Sequence, residues 1–310
     1  MSETSTIVKV ELPTGGGISV KRRRFRGQGD GPKRRVSLVA GIRGDAPEGI
    51  RVAHRVACFL EENEQVLSGT VDIYPCANPL AAHSGTRRWP FFEVDLNRTF
   101  PGNLEGHPPD RVAHILREDV RGSDQVIELR GARPAFREAP QAHVRANSER
   151  AADLAMKSNV AVVWCRRPGP AAPATFTHHF PGTIVLEGGT GNRLTPGVGR
   201  DLANGVLHML TVLGVLPEDI LPFHWAGMQR PMRVTDEQVI RVRASRGGLF
   251  LPEGELWSEI DIGAPLGEVI DPLSGETIEK IVNPASGHVM ALREHPVVYP
   301  GSMVARVVSS

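Results

Sequence analysis

The stretch RRVSLVAGIRGDAPEGIRVAHRVACFLEE, residues 34–62, decides the fold class of this chain. It opens with a short apolar run that ends at a glycine, a pattern typical of a buried β-strand. Apolar residues then recur three or four positions apart, which predicts a helix: Ile50, Ala53, Val56, Ala57 and Leu60. A strand that leads through a polar loop into an amphipathic helix is the building unit of layered α/β folds.

The same alternation continues to about residue 215. Further strands are predicted in GTVDIYPCANP (69–79), SDQVIELR (123–130), NVAVVWC (159–165) and GTIVLEGG (182–189). Helices are predicted in PPDRVAHILREDV (108–120), SERAADLAMKS (148–158) and GVGRDLANGVLHMLTVLGVL (197–216). Beyond residue 226, short β-like runs are separated by Gly and Pro turns. We therefore predict a mixed α/β sheet with flanking helices over 1–225 and a small all-β domain over 226–310, with the boundary within LPFHWAGMQRP (221–231).

Composition favours a globular protein without a charged partner. The net charge is +1 and 40% of the residues are hydrophobic, which gives no electrostatic case for nucleic acid or membrane as a partner. The basic run KRRRFRGQGDGPKRR (21–35) is interpreted as a solvated hairpin between the strands GISV and RRVSLVAGI, because its glycines and proline supply a turn. Nucleic-acid binding by this run is the less favoured alternative. The sequence is also compatible with a homo-oligomer.

Targeting signals and disulfides are not indicated. The first residues, MSETSTIVKV, lack a basic-then-apolar signal pattern, and no apolar run approaches 18 residues. The three cysteines, Cys58, Cys76 and Cys165, form no CxxC pair and read as small buried residues in a reducing compartment. These features predict a cytoplasmic protein.

Four polar segments follow predicted strands: GIRGDAPEG (41–49), NPLAAHSGTRR (78–88), ELRGAR (128–133) and LEGGTGNR (186–193). In open α/β sheets, ligands bind beyond the carboxyl ends of the strands. The sequence therefore predicts that these segments converge on one site.

Two of these regions carry a family resemblance. VDLNRTFPG (94–102) and the segment that leads into it, YPCANPLAAHSGTRRWPFFEVDLNR (74–98), resemble the succinylglutamate desuccinylase/aspartoacylase family of zinc-dependent amidohydrolases. The resemblance extends over nearly the whole chain, including the β-rich tail. It implies a zinc-carboxypeptidase-like fold and the deacylation of small N-acyl amino acids.

The residues expected to hold zinc are missing. The family binds zinc through a His-Gly-x-Glu element and a second histidine in an Asp-Leu-His element. The first element is RGDA here, which places Arg43 and Ala46 at the His and Glu positions, and the second is ELR, which places Arg130 at the other His position. Asp45 and Glu48 fall at positions that do not bind the metal in the family. Because arginine stays protonated and cannot coordinate a cation, we expect no zinc and no other cofactor.

Other family positions are kept. The resemblance implies that Asn97 and Arg98 hold a substrate carboxylate and polarise the scissile carbonyl, and Asp95 of the same motif is also expected to be a substrate-binding residue. It assigns Arg88, or alternatively Arg87, to substrate binding as well. Glu187 in IVLEGG matches the general base of the family. A further carboxylate-binding arginine of the family has no counterpart in PATFTHHFPGTIVLE (173–187).

Positive charge takes the place of the metal. If Arg43 and Arg130 converge there, a small anionic, carboxylate-bearing ligand would relieve their repulsion. One hypothesis is a metal-free enzyme in which both arginines stabilise an oxyanion and Glu187 acts as general acid or base. A second is a pseudoenzyme that binds an anionic metabolite or a partner protein. In a simpler version of this hypothesis, the arginines only fill the empty site with internal salt bridges. A third is a zinc-dependent amidohydrolase whose ligands are relocated among scattered histidines: His54, His83, His114 and His143.

Overall fold

A computed structural model describes residues 2–223 and 230–309. The described chain has six α-helices: α1 (Pro47–Glu62), α2 (Pro79–Ser84), α3 (Pro108–Val120), α4 (Glu149–Ala155), α5 (Phe176–His179) and α6 (Pro196–Val212). The strands of its first 223 residues are β1 (Glu3–Glu11), β2 (Gly17–Arg26), β3 (Arg35–Ala40), β4 (Thr70–Tyr74), β5 (Gln125–Leu129), β6 (Phe136–Arg145), β7 (Val162–Arg166) and β8 (Ile184–Thr190). Those after residue 230 are β9 (Met232–Thr235), β10 (Val239–Arg243), β11 (Gly248–Pro252), β12 (Glu259–Ile260), β13 (Pro265–Ile270), β14 (Thr277–Val282), β15 (Gly287–Arg293), β16 (Val297–Val298) and β17 (Met303–Ser309).

One large mixed sheet carries most of the fold. Its main path runs β1-β2-β4-β3-β5-β8-β6-β15-β17-β10, with β7 and β9 beside β6 and β12 on β15. Strands β4, β3, β5 and β8 are mutually parallel, whereas β6 runs antiparallel to β8 and parallel to β7. The predicted mixed α/β sheet is confirmed.

Helices cover both faces of this sheet. Successive residues of β3 point to opposite faces: Leu38 packs in a core with α1, α4 and α6, whereas Val39 packs in a second core with α3, β1 and β2. A strand buried on both faces reads as a continuous apolar run, which explains the composition of VSLVA (36–40). Pro47 begins α1 at a position where the missing N–H costs no helical hydrogen bond.

The hairpin interpretation of the basic run 21–35 is wrong. Strand β2 continues through this run as far as Arg26 and pairs with β1 and β4, not with β3. Arginines from both ends of the run bind one buried carboxylate: Arg24 in β2 and Arg35 in β3 donate hydrogen bonds to Asp72 at 2.6 and 2.8 Å. The basic residues are therefore partly neutralised by carboxylates.

The C-terminal region is β-rich, as predicted. Strands β10, β15 and β17 extend the large sheet, while β14, β13, β11 and β16 form a separate four-stranded sheet in that order. Residue 225, the predicted boundary, lies outside the described residues.

None of the helices in the described ranges combines the length and the apolar character that a bilayer crossing requires.

Candidate functional site

Neighbouring parallel strands bring two arginines to the same edge of the sheet. Arg43 follows β3 and Arg130 follows β5, and the two strands pair in parallel. Between β3 and Arg43 the chain turns at Gly41, which has a φ of +65° and lies so close to Cys76 that an added Cβ would be 2.9 Å from its Cα. Only glycine fits this turn without strain.

Arg130 forms a bidentate ion pair with a buried carboxylate. Its Nε and Nη2 donate to the two carboxylate oxygens of Glu128 at 2.5 and 2.7 Å. Burial by itself would lower the pKa of Arg130, but the charge and hydrogen bonds of Glu128 outweigh burial and raise it. Arg130 is thus a fixed cation whose charge is largely balanced by Glu128.

Arg43 has no such partner. Its Nε is buried without a hydrogen-bond acceptor in the described chain. Burial, followed by repulsion from Arg130 and Arg87, lowers the pKa of Arg43 to about 10. Arg43 is therefore still positively charged at neutral pH, but its charge is poorly compensated.

Glu187 is bound to a histidine rather than exposed. It lies in β8, where it is buried, and its Oε1 is 2.8 Å from Nε2 of His143 on the adjacent antiparallel strand β6. Burial lowers the pKa of His143 to about 4. His143 is therefore neutral at pH 7 and donates its Nε2–H to the Glu187 carboxylate, while its Nδ1 has no partner in the described chain.

The Glu187 carboxylate is kept ionised. Burial alone would raise its pKa, but the interaction with His143 and the charges of Arg130 and Arg43 hold the pKa well below the ordinary value. A carboxylate with such a lowered pKa binds a proton weakly and is therefore a weak base. In this arrangement Glu187 balances positive charge and orients His143.

A cavity of about 400 Å³ opens at this edge of the sheet. Six arginines line it: Arg43, Arg98, Arg130, Arg145, Arg166 and Arg167. No aspartate or glutamate from residues 2–223 or 230–309 is among its lining residues. Although the Arg130 ion pair partly fills the predicted site, the remaining space is large enough for a small metabolite.

The DLNR motif meets the cavity at its asparagine. Asn97 is buried in the lining, and its side-chain oxygen accepts the backbone N–H of Phe176 at 3.1 Å. The amide nitrogen of Asn97 is therefore the end available to donate to a ligand. Arg98 also lines the cavity, but its guanidinium is exposed and donates to the carbonyl of Ala171 at 3.2 Å. Asp95 lies behind the lining and accepts the backbone N–H of Asn97 at 2.9 Å.

The structure distinguishes the two candidate arginines before this motif. Arg88 has 64% of its side chain exposed, pairs with the exposed Glu93 at 3.7 Å and does not line the cavity. Arg87 donates to Asp95 at 2.7 Å and is close enough to Arg43 to perturb its pKa. Arg87 therefore contributes to the electrostatics of the site, and Arg88 lies outside it.

The sequence analysis did not predict that β6 and β7 line one side of the cavity. Strand β6 was not predicted, since Pro140 interrupts its pattern, and the proline sits where the pairing of β6 with β8 is irregular. This strand carries His143 and Arg145, and β7 ends at Arg166. The doublet of basic residues after the apolar run VAVVWC was the available signal for this wall.

The residues present do not fit the zinc of the resembled family. At the positions that the resemblance assigns to its ligands stand Arg43 and Arg130, which cannot coordinate a cation, and Ala46, which is buried and whose side chain has no donor atom. The described ranges also contain no group of three or more His, Cys, Asp or Glu side chains placed to hold a metal ion. What the arrangement can do chemically is bind an anion and stabilise developing negative charge.

Comparisons with known proteins agree with the resemblance. The family model of the succinylglutamate desuccinylase/aspartoacylase catalytic domain matches residues 32–213. A curated relative, the N-alpha-acetyl-L-2,4-diaminobutyric acid deacetylase of Halomonas elongata, is 33% identical over 103 residues, which are 33% of this chain and 29% of the relative. The match thus spans less than a third of that relative.

Solved structures share the fold along the whole chain. The succinylglutamate desuccinylase/aspartoacylase of Rhodobacter sphaeroides has a TM-score of 0.81 at 22% identity, covering 100% of this chain and 96% of that one. The product-bound ectoine utilization protein EutE (DoeB) of Ruegeria pomeroyi has a TM-score of 0.80 at 19% identity, covering 100% and 95%. The predicted fold is therefore confirmed.

Proposed function

This chain belongs to the succinylglutamate desuccinylase/aspartoacylase family, and from that membership we propose that its arginine-lined cavity recognises a small carboxylate-bearing ligand of the N-acyl amino acid class. The proposed role is binding without zinc-dependent hydrolysis, in a member of the family that has exchanged its metal ligands for arginines.

The observation that carries this proposal is the charge of the cavity. Six arginines and no acidic side chain of the described chain line it. Guanidinium groups bind carboxylates through paired N–H donors. The name of the Halomonas elongata relative, a deacetylase of an N-acetylated amino acid, supports the ligand class.

Loss of hydrolysis follows from the chemistry of the remaining groups. A metal-bound water reaches a pKa near 7, whereas free water has a pKa of about 15.7. Arg43 and Arg130 cannot bring about this activation. Glu187, whose pKa is held well below the ordinary value, is too weak a base to replace it.

One observation favours metal-free deacylation as a second candidate. His143 lines the cavity and donates to Glu187, which leaves its unpartnered Nδ1 as a proton acceptor. In this candidate Nδ1 takes a proton from water, the water oxygen forms a bond to the acyl carbon, and Arg43 and Arg130 stabilise the oxyanion. The proton then passes to the amine as the C–N bond breaks. The pKa of about 4 makes His143 a weak base, so slow turnover is expected.

Titration calorimetry with N-acetyl-L-alanine and N-acetyl-L-aspartate tests the proposal. The wild type is expected to bind at least one of them, and Arg43→Gln is expected to weaken binding about tenfold or more. Arg111→Gln removes an exposed arginine of α3 outside the cavity and is the matched control. If neither compound binds at millimolar concentration, carboxylate recognition is contradicted.

Amine release separates the two candidates. If the site only binds, the wild type releases no amine, and Glu187→Gln retains most of the affinity. Amine release that Glu187→Gln and His143→Gln both abolish would establish the second candidate instead. Elemental analysis of the purified protein adds an independent check, since a zinc-to-protein ratio near one would contradict the metal-free reading of both candidates.

A further inference from the structure

Two arginines face each other at the outer wall of the cavity. Arg145 and Arg166 are the last residues of the parallel strands β6 and β7 and are direct partners in their register. Adjacent strands lie about 4.8 Å apart, so the two side chains leave the sheet next to each other. Both line the cavity. Like charges in this arrangement destabilise a sheet unless an anion lies between them.

Neither arginine forms an ion pair with a carboxylate of the described chain, although the more distant charges of Glu187 and Asp236 act on Arg166 and partly offset the lowering of its pKa by burial. The hydrogen bond that Arg145 makes is to Nδ1 of His178 at 3.3 Å. Arg166 places its guanidinium carbon 4.3 Å from the ring centroid of Trp164, and its Nε is buried without a partner. By contrast, the neighbouring Arg167 forms an ion pair with Glu237 at 2.6 Å. Arg145 and Arg166 therefore share with Arg43 the lack of a carboxylate at ion-pair distance in the described chain, whereas Arg130 and Arg167 each have one.

The inner end of the cavity has a different charge balance. There Arg130 is paired with Glu128, and the carboxylate of Glu187 lies close enough to Arg43 to affect its pKa. The inner end therefore contains one bidentate ion pair and a second carboxylate nearby, whereas the two cations of the outer wall have no carboxylate within ion-pair distance in the described chain. The two ends are suited to different groups of one ligand.

We propose that Arg145 and Arg166 form a second anion subsite that takes a phosphoryl group, the doubly charged end of a small ligand whose carboxylate binds near Arg43. This inference rests on the proposed carboxylate recognition and narrows its ligand class to phosphorylated, carboxylate-bearing metabolites. A phosphoryl group carries nearly two negative charges at neutral pH and offers three acceptor oxygens, which match two unpaired guanidinium forks. A carboxylate supplies one charge and two oxygens.

Three probes that share the N-acetyl amino acid core test the subsite by calorimetry: N-acetyl-L-alanine, N-acetyl-L-aspartate and N-acetyl-O-phospho-L-serine. In the wild type, the phosphoserine derivative is expected to bind at least tenfold more tightly than the alanine derivative, with the aspartate derivative between them. The double variant Arg145→Gln/Arg166→Gln is expected to bind all three within twofold of one another. Its affinity for N-acetyl-L-alanine is expected to fall much less than its affinity for N-acetyl-O-phospho-L-serine.

A charge-matched control is Arg111→Gln/Arg200→Gln, which removes two exposed arginines from α3 and α6 outside the cavity. It is expected to keep the wild-type preference. Thermal unfolding without ligand checks the fold of the double variant, and Arg145→Lys/Arg166→Lys, which keeps the charge but not the forks, is expected to keep part of the preference.

The outcomes separate the two proposals. If the wild type binds the phosphoserine derivative no more tightly than the alanine derivative, the second subsite is overturned while carboxylate recognition stands. If the aspartate derivative binds most tightly, the phosphoryl assignment is wrong. A preference that survives Arg145→Gln/Arg166→Gln also overturns the subsite. If no probe binds, both the subsite and the proposed function fail.

Discussion

Replacing Arg130 by alanine is expected to lower the free energy of unfolding by about 3–5 kcal/mol at pH 7, the usual cost of breaking a buried ion pair from one side. Glu128 is fully buried and Arg130 has 13% of its side chain exposed, and both carboxylate oxygens accept bonds from Arg130. In the variant the carboxylate is left in a dry site without its cation. The size of the loss therefore reports how completely the sheet excludes water.

The charge part of this cost has an upper limit. A buried glutamate can shed its charge by taking up a proton, which costs about 3.7 kcal/mol at pH 7 and about 1 kcal/mol at pH 5, since an unfolded glutamate has a pKa of about 4.3. The variant then holds a proton that the unfolded chain releases, so its deficit shrinks as the pH falls. Urea unfolding of the wild type and Arg130→Ala at both pH values measures this change.

The matched control removes both charges. Glu128→Leu/Arg130→Met replaces the ion pair by apolar side chains, a change that is often neutral in buried sites. It is expected to unfold within about 1 kcal/mol of the wild type and to lack the pH dependence of Arg130→Ala. If Arg130→Ala costs less than about 1 kcal/mol at pH 7, water reaches Glu128 and the pair does not behave as a buried ion pair.

Three further predictions concern single residues. His143 has a pKa of about 4 in the folded state and about 6.5 when unfolded, so the unfolded chain binds the proton first and the free energy of unfolding falls as the pH drops from 6.5 to 4. His143→Gln is expected to reduce that fall, which urea titrations across this pH range would show. Arg43→Met is expected to raise the free energy of unfolding by about 1 kcal/mol without added anion, because it removes a buried donor that has no acceptor in the described chain. If calorimetry shows a loss of stability instead, the charge of Arg43 is compensated in the folded protein. Gly205→Ala is expected to destabilise the protein by about 2 kcal/mol or more, because the new Cβ would lie 1.8 Å from the carbonyl oxygen of Ser158. Its control in the same helix is Gly197→Ala, whose Cβ meets nothing within 4 Å and which is expected to stabilise the protein by about 0.5–1 kcal/mol. Equal effects of the two changes in thermal unfolding would contradict the close contact between α6 and the backbone of Ser158.

The regular part of the fold could be read from the sequence. Strands β3, β4, β5, β7 and β8 and helices α1, α3, α4 and α6 were predicted, because their apolar residues follow the periods that burial on a sheet or a helix imposes. Strand β6 escaped prediction because a proline and several polar residues interrupt its period. The strand GISV was predicted, but its continuation as β2 through the basic residues to Arg26 was not, because those charges are neutralised by residues far away in sequence. Local patterns cannot record such partners.

The candidate site divides in the same way. Through the family resemblance, the sequence by itself predicted arginines at the metal-ligand positions, and its strand-ending polar segments predicted one shared site. The parallel pairing of β3 and β5 in the structure brings Arg43 and Arg130 to the same edge of the sheet. Only the tertiary structure decided that Arg130 is paired while Arg43 is not, and that Glu187 is held by His143. Those facts depend on which side chains meet across strands distant in sequence. The arginines that line the cavity likewise come from separate parts of the chain, so the charge of the cavity is set by which residues are neighbours in space and not by their order in the sequence.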